Sequence, residues 1–177
     1  MNGEANLTFD GNDLTLGNGN IVFGTAAKGV YLGVTSATAS NLLDDYEEGS
    51  FAPTFSVDIS GTAPSSQSGS GAYTKIGDMV HVHGQINWSG SGSGGTRLKI
   101  DLPFQCISAR GALSVGLVSG FNWSSGNQLT MAVEGGQSKV YLLEKNPTSG
   151  GHVHLTFSSL TTTGSYLFSF CGAYNVA

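Results

Sequence analysis

The stretch Met79-Val80-His81-Val82-His83-Gly84-Gln85-Ile86-Asn87-Trp88 decides the fold class. Val80, Val82, Ile86 and Trp88 fall on one parity, and Met79, His81, His83, Gln85 and Asn87 on the other. Successive side chains of a strand point to opposite faces, so this is a strand with one apolar and one polar face. The same period of two recurs on either side of it. Phe51, Pro53, Phe55 and Val57 share a face upstream; Leu98, Ile100 and Leu102 follow downstream. Leu113, Val115, Leu117, Phe121 and Trp123 form the longest odd-numbered stripe. Leu129, Met131 and Val133, the mixed segment Val140 to Leu143, and Val153, Leu155 and Phe157 come after it. The last strand carries Tyr166, Phe168, Phe170 and Tyr174 on one face and Leu167, Cys171 and Ala173 on the other. A strand that is apolar on both faces is expected between two layers. The Ser/Gly-rich stretches Ser60 to Gly71, Ser89 to Gly95, Ser124 to Asn127 and Asn146 to Gly151 read as flexible, uncharged loops. Eight or nine short strands at this spacing predict an all-β, antiparallel, jelly-roll-like β-sandwich head over residues 51–177.

Upstream of the head lies a short repeat. Asn6-Leu7-Thr8-Phe9-Asp10, Asp13-Leu14-Thr15-Leu16-Gly17 and Asn20-Ile21-Val22-Phe23-Gly24 start seven residues apart, with a looser copy at Val30-Tyr31-Leu32-Gly33. Each unit is apolar-x-apolar, and its spacers are turn-forming Asp, Asn and Gly, so the repeat predicts three-residue strands rather than a coiled coil. Such strands are too small to bury a core alone. Residues 1–39 are therefore expected to form a β-repeat stalk intertwined with other chains in a homotrimer; the plainer reading is an arm lying on the head. Ser40 to Ser50 carries Asp44, Asp45, Glu47 and Glu48, with Ser40 suited to cap a helical turn and Gly49 to end it. It reads as an acidic hinge over 40–50. In a trimer those acids become an oxygen-rich cluster of the kind calcium favours, but a solvated hinge capped by its own backbone is the plainer reading.

Composition removes several functions. The 177 residues include 7 Lys and Arg against 12 Asp and Glu, a net charge of −5, so there is no basic patch for nucleic acid. Hydrophobic residues at 39% and aromatics at 10% suffice for a core, which argues against disorder. No apolar run approaches the roughly 18–20 residues of a membrane span, and Met1-Asn2-Gly3-Glu4 lacks the basic and apolar regions of a signal peptide. Cys106 and Cys171 stand far apart and read as two buried thiols in a protein made in a reducing compartment. The sequons at Asn6, Asn87 and Asn122 are taken as accidental in that compartment.

Three segments occur together in a familiar order: Gly19-Asn20-Ile21-Val22-Phe23-Gly24-Thr25-Ala26-Ala27-Lys28-Gly29, then Leu42-Leu43-Asp44-Asp45-Tyr46-Glu47-Glu48-Gly49-Ser50-Phe51-Ala52-Pro53-Thr54, then Ala72-Tyr73-Thr74-Lys75-Ile76-Gly77-Asp78-Met79-Val80-His81-Val82-His83-Gly84-Gln85-Ile86 with Leu102-Pro103-Phe104 downstream. Over residues 14–104 the chain resembles the C-terminal regions of tail fibres and other surface proteins of tailed bacteriophages, especially aquatic ones. The resemblance implies a homotrimeric, β-rich virion surface protein made in the host cytoplasm and placed on the tail fibre or the capsid exterior. Its partners would then be other copies of itself and either a host cell-surface glycan or protein, or phage capsid or tail proteins. Tail fibres are usually longer and begin with an adaptor that docks on the tail, and this chain begins near its stalk.

The candidate chemistry is sparse. Trp88 and Trp123 both stand in Asn-Trp-Ser at the end of an apolar stripe, opening into a Ser/Gly loop. An aromatic face with amides and hydroxyls beside it suits a sugar, so Asn87, Trp88, Ser89, Asn122 and Trp123 are candidate receptor-binding residues; the plainer reading has each indole closing the sandwich. All four histidines lie in the tripeptides His81-Val82-His83 and His152-Val153-His154, each of which presents two imidazoles on one face. Two such strands offer four metal ligands, or one pair per subunit offers six around a trimer axis, a field suited to iron and one that some phage fibres use. Exposed histidine without metal is the plainer reading, and no cofactor is expected. Gly90, Gly92 and Gly95 match G-x-G-x-x-G, but Thr96-Arg97-Leu98-Lys99-Ile100 follows as a strand, and a dinucleotide site needs a helix there. The head's acids, Asp58, Asp78, Asp101, Glu134 and Glu144, form no recognisable pair, so the expectation is a non-enzymatic receptor-binding head. Capsid decoration and polysaccharide depolymerisation are the alternatives.

Overall fold

The structure is a computed structural model that describes residues 7–107, 111, 113–145, 148, 150–160 and 165–176. Asn6 of the first repeat and Asn146, Pro147 and Ser149 of the last Ser/Gly loop lie outside the described residues. The chain divides into two compact units, Met1–Asp44 and Asp45–Ala177.

In the first unit, β1 (Leu7–Phe9) pairs antiparallel with β2 (Leu14–Leu16), Leu7 opposite Leu16. The turn between them is closed by the Asp10 carboxylate, which accepts from the backbone N–H groups of Asn12 (2.9 Å) and Asp13 (2.8 Å). Those two N–H groups hold the Asp10 carboxyl below its usual value. The third repeat copy departs from expectation, since Ile21 to Phe23 forms no strand. The fourth does form one: β3 (Val30–Tyr31) pairs with β4 (Leu42–Leu43). The helical turn expected after Ser40 is a single 3-10 turn, Ala39–Asn41, with Thr38 at its N-terminus and no side-chain cap. No described residue of this unit is buried by its own chain; Leu7, Phe9, Leu14, Ile21, Val22 and Phe23 are all exposed.

The second unit contains β5 (Tyr46–Phe51), β6 (Phe55–Val57), β7 (Gly61–Thr62), β8 (Ser66–Ile76), β9 (Met79–Ser89), β10 (Ser93–Gly94), β11 (Leu98–Asp101), β12 (Leu113–Val118), β13 (Gln128–Val133), β14 (Lys139–Lys145), β15 (His152–His154) and β16 (Ser165–Asn175). Two five-stranded sheets face each other. The first has the order β12-β16-β9-β8-β5; the second has β13-β14-β11-β6, with β15 also on β14. Every strand pair is antiparallel, and the chain crosses repeatedly between sheets, as the jelly-roll-like expectation required. Between them lie Phe55, Trp88, Phe121 and Phe168, with ring centroids 5.2 to 6.2 Å apart, surrounded by Val80, Val82, Ile86, Leu98, Ile100, Val133, Val140 and Leu142. β9 alternates as read: every even-numbered residue from Val80 to Trp88 is buried and every odd one from Met79 to Asn87 is exposed.

Four features differ from the sequence reading. The acidic segment is not a hinge throughout, because from Tyr46 it is the edge strand β5, with Glu48 opposite Thr74 and Phe51 opposite Gly71. Ser66 to Gly71, read as loop, belongs to the eleven-residue β8. Its composition looks flexible because its inward positions must be small. A Cβ on Gly69 would stand 1.9 Å from the Pro53 carbonyl oxygen, and one on Gly71 would stand 2.6 Å from the Phe51 ring. The odd-numbered stripe breaks at a register shift between Val115 and Val118, which turns Leu117 out to solvent and brings Val118 against the core. Finally, β16 is covered on one side only. Leu167, Ser169, Cys171 and Ala173 lie on the sheet's outward face, so Cys171 is exposed; of the two thiols expected to be buried only Cys106, which bridges to Val176, is.

The outward face of the first sheet carries Ser66, Ser68, Ser70, Ala72, Thr74 and Ile76 of β8 beside Met79, His81, His83, Gln85 and Asn87 of β9. Among its described strand positions Glu48 is the one Asp, Glu, Lys or Arg. A hollow of about 500 Å³ lies where Ser70, Ala72 and Ser169 are small between His83 and Gln85. The outward face of the second sheet is different: it holds Arg97, Lys99, Lys139 and Lys145, four of the chain's 7 basic residues.

Candidate functional site

The two Asn-Trp-Ser tripeptides meet opposite fates. Trp88 is an inward residue of β9 and is 2% exposed, packed edge-on against Phe55 and Phe121, each at 5.2 Å. Its flanking Asn87 and Ser89 have the other parity and point away from the core on the first sheet. Asn87, Trp88 and Ser89 therefore do not form one site. Trp123 lies beyond β12, where Phe121 bridges to Leu160 and completes the core. The chain turns away two residues later, and the Trp123 indole is 40% exposed.

Trp123 forms one wall of a groove of about 350 Å³ that Asn122, Ser124, Glu144, Val153, Thr156 and Ser159 also line. Each wall is held by a local device. The Asn122 N–H donates to the Ser159 carbonyl at 2.7 Å. Ser159 ends a 3-10 turn, Phe157–Ser159, whose first residue is preceded by Thr156, and the Thr156 N–H donates to the Ser159 hydroxyl at 3.2 Å. Glu144, on β14, accepts from the Ser124 N–H at 2.8 Å and from its hydroxyl at 3.1 Å. An exposed indole thus stands beside an amide, several hydroxyls and an oriented carboxylate, which is the chemistry of sugar binding: apolar ring faces stack on the indole while hydroxyls pair with fixed polar groups. Glu144, Thr156 and Ser159 were missed in the sequence, because only the pairing of β14 with β13 and β15 and the bridge at Phe121 bring them to Trp123.

The two histidine pairs are also separated. His81 and His83 are exposed on the outward face of the first sheet, and His152 and His154 share a face with Leu143 and Lys145, outward on the second. Outward faces of a sandwich point in opposite directions, so the four imidazoles do not converge on one metal in a chain. Among the described residues no group of three or more His, Cys, Asp or Glu is placed to hold a metal ion. The G-x-G-x-x-G stretch contains β10, paired with β7, and leads into β11, so no helix N-terminus follows it. Among the described residues no helix is long and apolar enough to cross a membrane.

No protein-family model matches the chain, and no curated protein does. Among solved structures the chain is similar to the crystal structure of the Dettilon tailspike protein (gp208), with a TM-score of 0.56 and 24% identity over 73% of this chain. The match covers 24% of the tailspike, so this chain spans about a quarter of the length of that protein. At this identity the likeness is one of fold: an antiparallel β-sandwich also found in a phage tailspike.

Proposed function

We propose that the chain is a non-enzymatic receptor-binding head of a phage virion surface protein, homotrimeric, whose Trp123 groove contacts a glycan on the host surface. The observation that carries this reading is the contrast between the two tryptophans: one indole completes the core, and the other is held open beside Asn122, Ser124 and Glu144. The tailspike-like fold and the resemblance of residues 14–104 to phage fibre proteins support the same reading. A non-enzymatic role fits a groove in which Glu144 is the one lining carboxylate among the described residues, because glycoside hydrolysis ordinarily takes two. Two surfaces favour a second and third copy as partners. The apolar side chains of the first unit have no cover from their own chain, and the outward face of the first sheet is almost uncharged, with Ile76, Met79 and Leu167 among small polar residues.

Light scattering should give three times 18.2 kDa, and a stable monomer would remove the trimer. Host adsorption by the purified protein should be lost on Trp123→Ala with the fold intact. Failure to bind host cells, together with binding to emptied capsids that raises their resistance to heat, would replace the receptor reading with capsid decoration. Release of saccharide from host polysaccharide would replace it with depolymerisation.

A further inference from the structure

Residues on the outward face of a surface sheet are normally wet. On the second sheet, Lys99 is only 6% exposed and Tyr141 5%, although both point outward, in register with each other across β11 and β14. They are covered by neighbours from four elements. The Lys99 Nζ stands 4.9 Å from the Tyr141 ring centroid and the Arg97 guanidinium 5.6 Å from it. Asp58, just past β6, pairs with both cations, meeting the Arg97 Nε at 3.4 Å. Burial, with the Glu134 carboxylate acting the same way and the Arg97 guanidinium against it, pushes the Tyr141 phenol up. The His154 ring packs edge-on at 5.3 Å, and His152 lies 6.0 Å beyond it. Together Arg97, Glu134, Tyr141, Leu143, His152 and His154 line a pocket of about 190 Å³. Placing a lysine this deep is costly even when it is paired, so its burial is poorly explained as a device for stability.

We propose that this pocket, which shares His154 with the Trp123 groove but has the rest of its lining to itself, is a second sugar site that takes a single uncharged pyranose ring. The charges decide the class of ligand. Of the described side chains that line the pocket, Arg97 carries the one positive charge and Glu134 the one negative, so an entering phosphate or carboxylate meets a carboxylate and an entering cation meets a guanidinium. A ring of hydroxyls suits both signs at once, since each hydroxyl can accept from Arg97 and donate to Glu134. The Nδ1 of His154 is buried with no hydrogen-bond partner, a polar atom that a ligand hydroxyl would satisfy. The room is that of about six waters at roughly 30 Å³ each, enough for one ring and too little for a chain of them. Burial, with Arg97 and His152 nearby, holds the His154 imidazole below its ordinary value and so neutral at pH 7, which keeps the charge balanced. The register divides the two cavities, with His154 common to both: His152 lines this pocket alone, and Val153, with its partner Glu144 on the other face of β15, lines the groove alone. The inference shares the class of ligand with the receptor reading and stands or falls separately from it.

The test is saturation-transfer NMR on the full chain at pH 7 with methyl glycosides of neutral hexoses and N-acetylhexosamines, and with glucuronate, N-acetylneuraminate and inorganic phosphate as charged probes. One or more neutral glycosides should bind and the charged probes should not. Glu134→Gln and His152→Ala, each made in a Trp123→Ala background so that the groove does not contribute, should weaken the remaining binding at least tenfold. His152 is exposed, so His152→Ala carries the test if Glu134→Gln does not fold. Absence of binding by every neutral glycoside, tighter binding of a charged probe, or retention of binding in both pocket variants would overturn the proposal. Loss in Trp123→Ala alone would also overturn it while supporting the groove. Neutral-sugar binding lost in His152→Ala, with host adsorption indifferent to Trp123→Ala, would uphold this site and sink the groove.

Discussion

The two tryptophans allow a quantitative test, because the same tripeptide is asked to do opposite work. Consider Trp88→Ala. A buried indole removes roughly 150–250 Å² from water, which at about 25 cal/mol per Å² is roughly 4–6 kcal/mol, an upper figure because the unfolded chain already covers some of it. Against this, the Trp88 Nε1 is buried without a hydrogen-bond partner, and its removal offsets about 1–3 kcal/mol. The net expectation is about 3 kcal/mol, at the lower edge of the usual cost of Trp→Ala in a core. For a unit the size of residues 45–177 this corresponds to a fall of roughly 10 °C in Tm. Trp123→Ala loses a partly solvated ring, leaves no enclosed cavity and should cost roughly 1–2 kcal/mol, or a fall of about 5 °C. Its effect should appear instead in host adsorption, weakened tenfold or more, as for an aromatic at the centre of a contact. The assay is thermal unfolding of wild type and both variants at one protein concentration, since association shifts Tm, followed by adsorption at a temperature where all three are folded. If Trp88→Ala melts within about 2 °C of wild type, or Trp123→Ala melts below Trp88→Ala, the assignment of core and contact is wrong.

Four further outcomes are expected. Gly69→Ala should destabilise the head by several kcal/mol in denaturant titrations, because its Cβ would meet the Pro53 carbonyl at 1.9 Å; Gly77→Ala, in open space at φ +57°, should cost only about 1–2 kcal/mol of backbone strain. Burial pushes the Tyr174 phenol up to about 12 from 10, so the unfolded chain loses this proton first; stability should hold below pH 10 and fall by roughly 2–3 kcal/mol as pH rises to about 12, a loss that Tyr174→Phe abolishes. His154 has the opposite window: its folded-state value lies below 6.5, chiefly through burial, so the unfolded chain takes up the proton first and stability declines as pH drops below 6.5, less so in His154→Gln. A thiol reagent should label Cys171 in a monomer and spare it in the assembled trimer, while Cys106, buried and with its thiol pushed above its usual value, should react only on unfolding.

The period-2 pattern settled a good deal before any coordinates. Because side chains alternate strictly along a strand, Val80, Val82, Ile86 and Trp88 had to share a buried face, and a chain of such segments without a helical period had to be an all-β sandwich. Alternation is a property of one strand, however, and says nothing of which strands pair or what lies across a sheet. Small residues have two opposite causes, a flexible loop or a close backbone approach, and only the Pro53 carbonyl over Gly69 shows that Ser66 to Gly71 is a strand. Parity also fails wherever the ladder slips: the register shift after Val115 reversed the faces of Leu117 and Val118, so Trp123 could not be placed by counting from Leu113. The groove joins residues 122–124 to Glu144 and to residues 153–159, and the outward pocket joins Arg97 to Glu134, Tyr141 and His154. Those meetings are made by cross-strand register and by the packing of one sheet on the other. Both are long-range, so the sequence determined the layers and their inner faces, and the tertiary structure alone decided where the polar side chains come together.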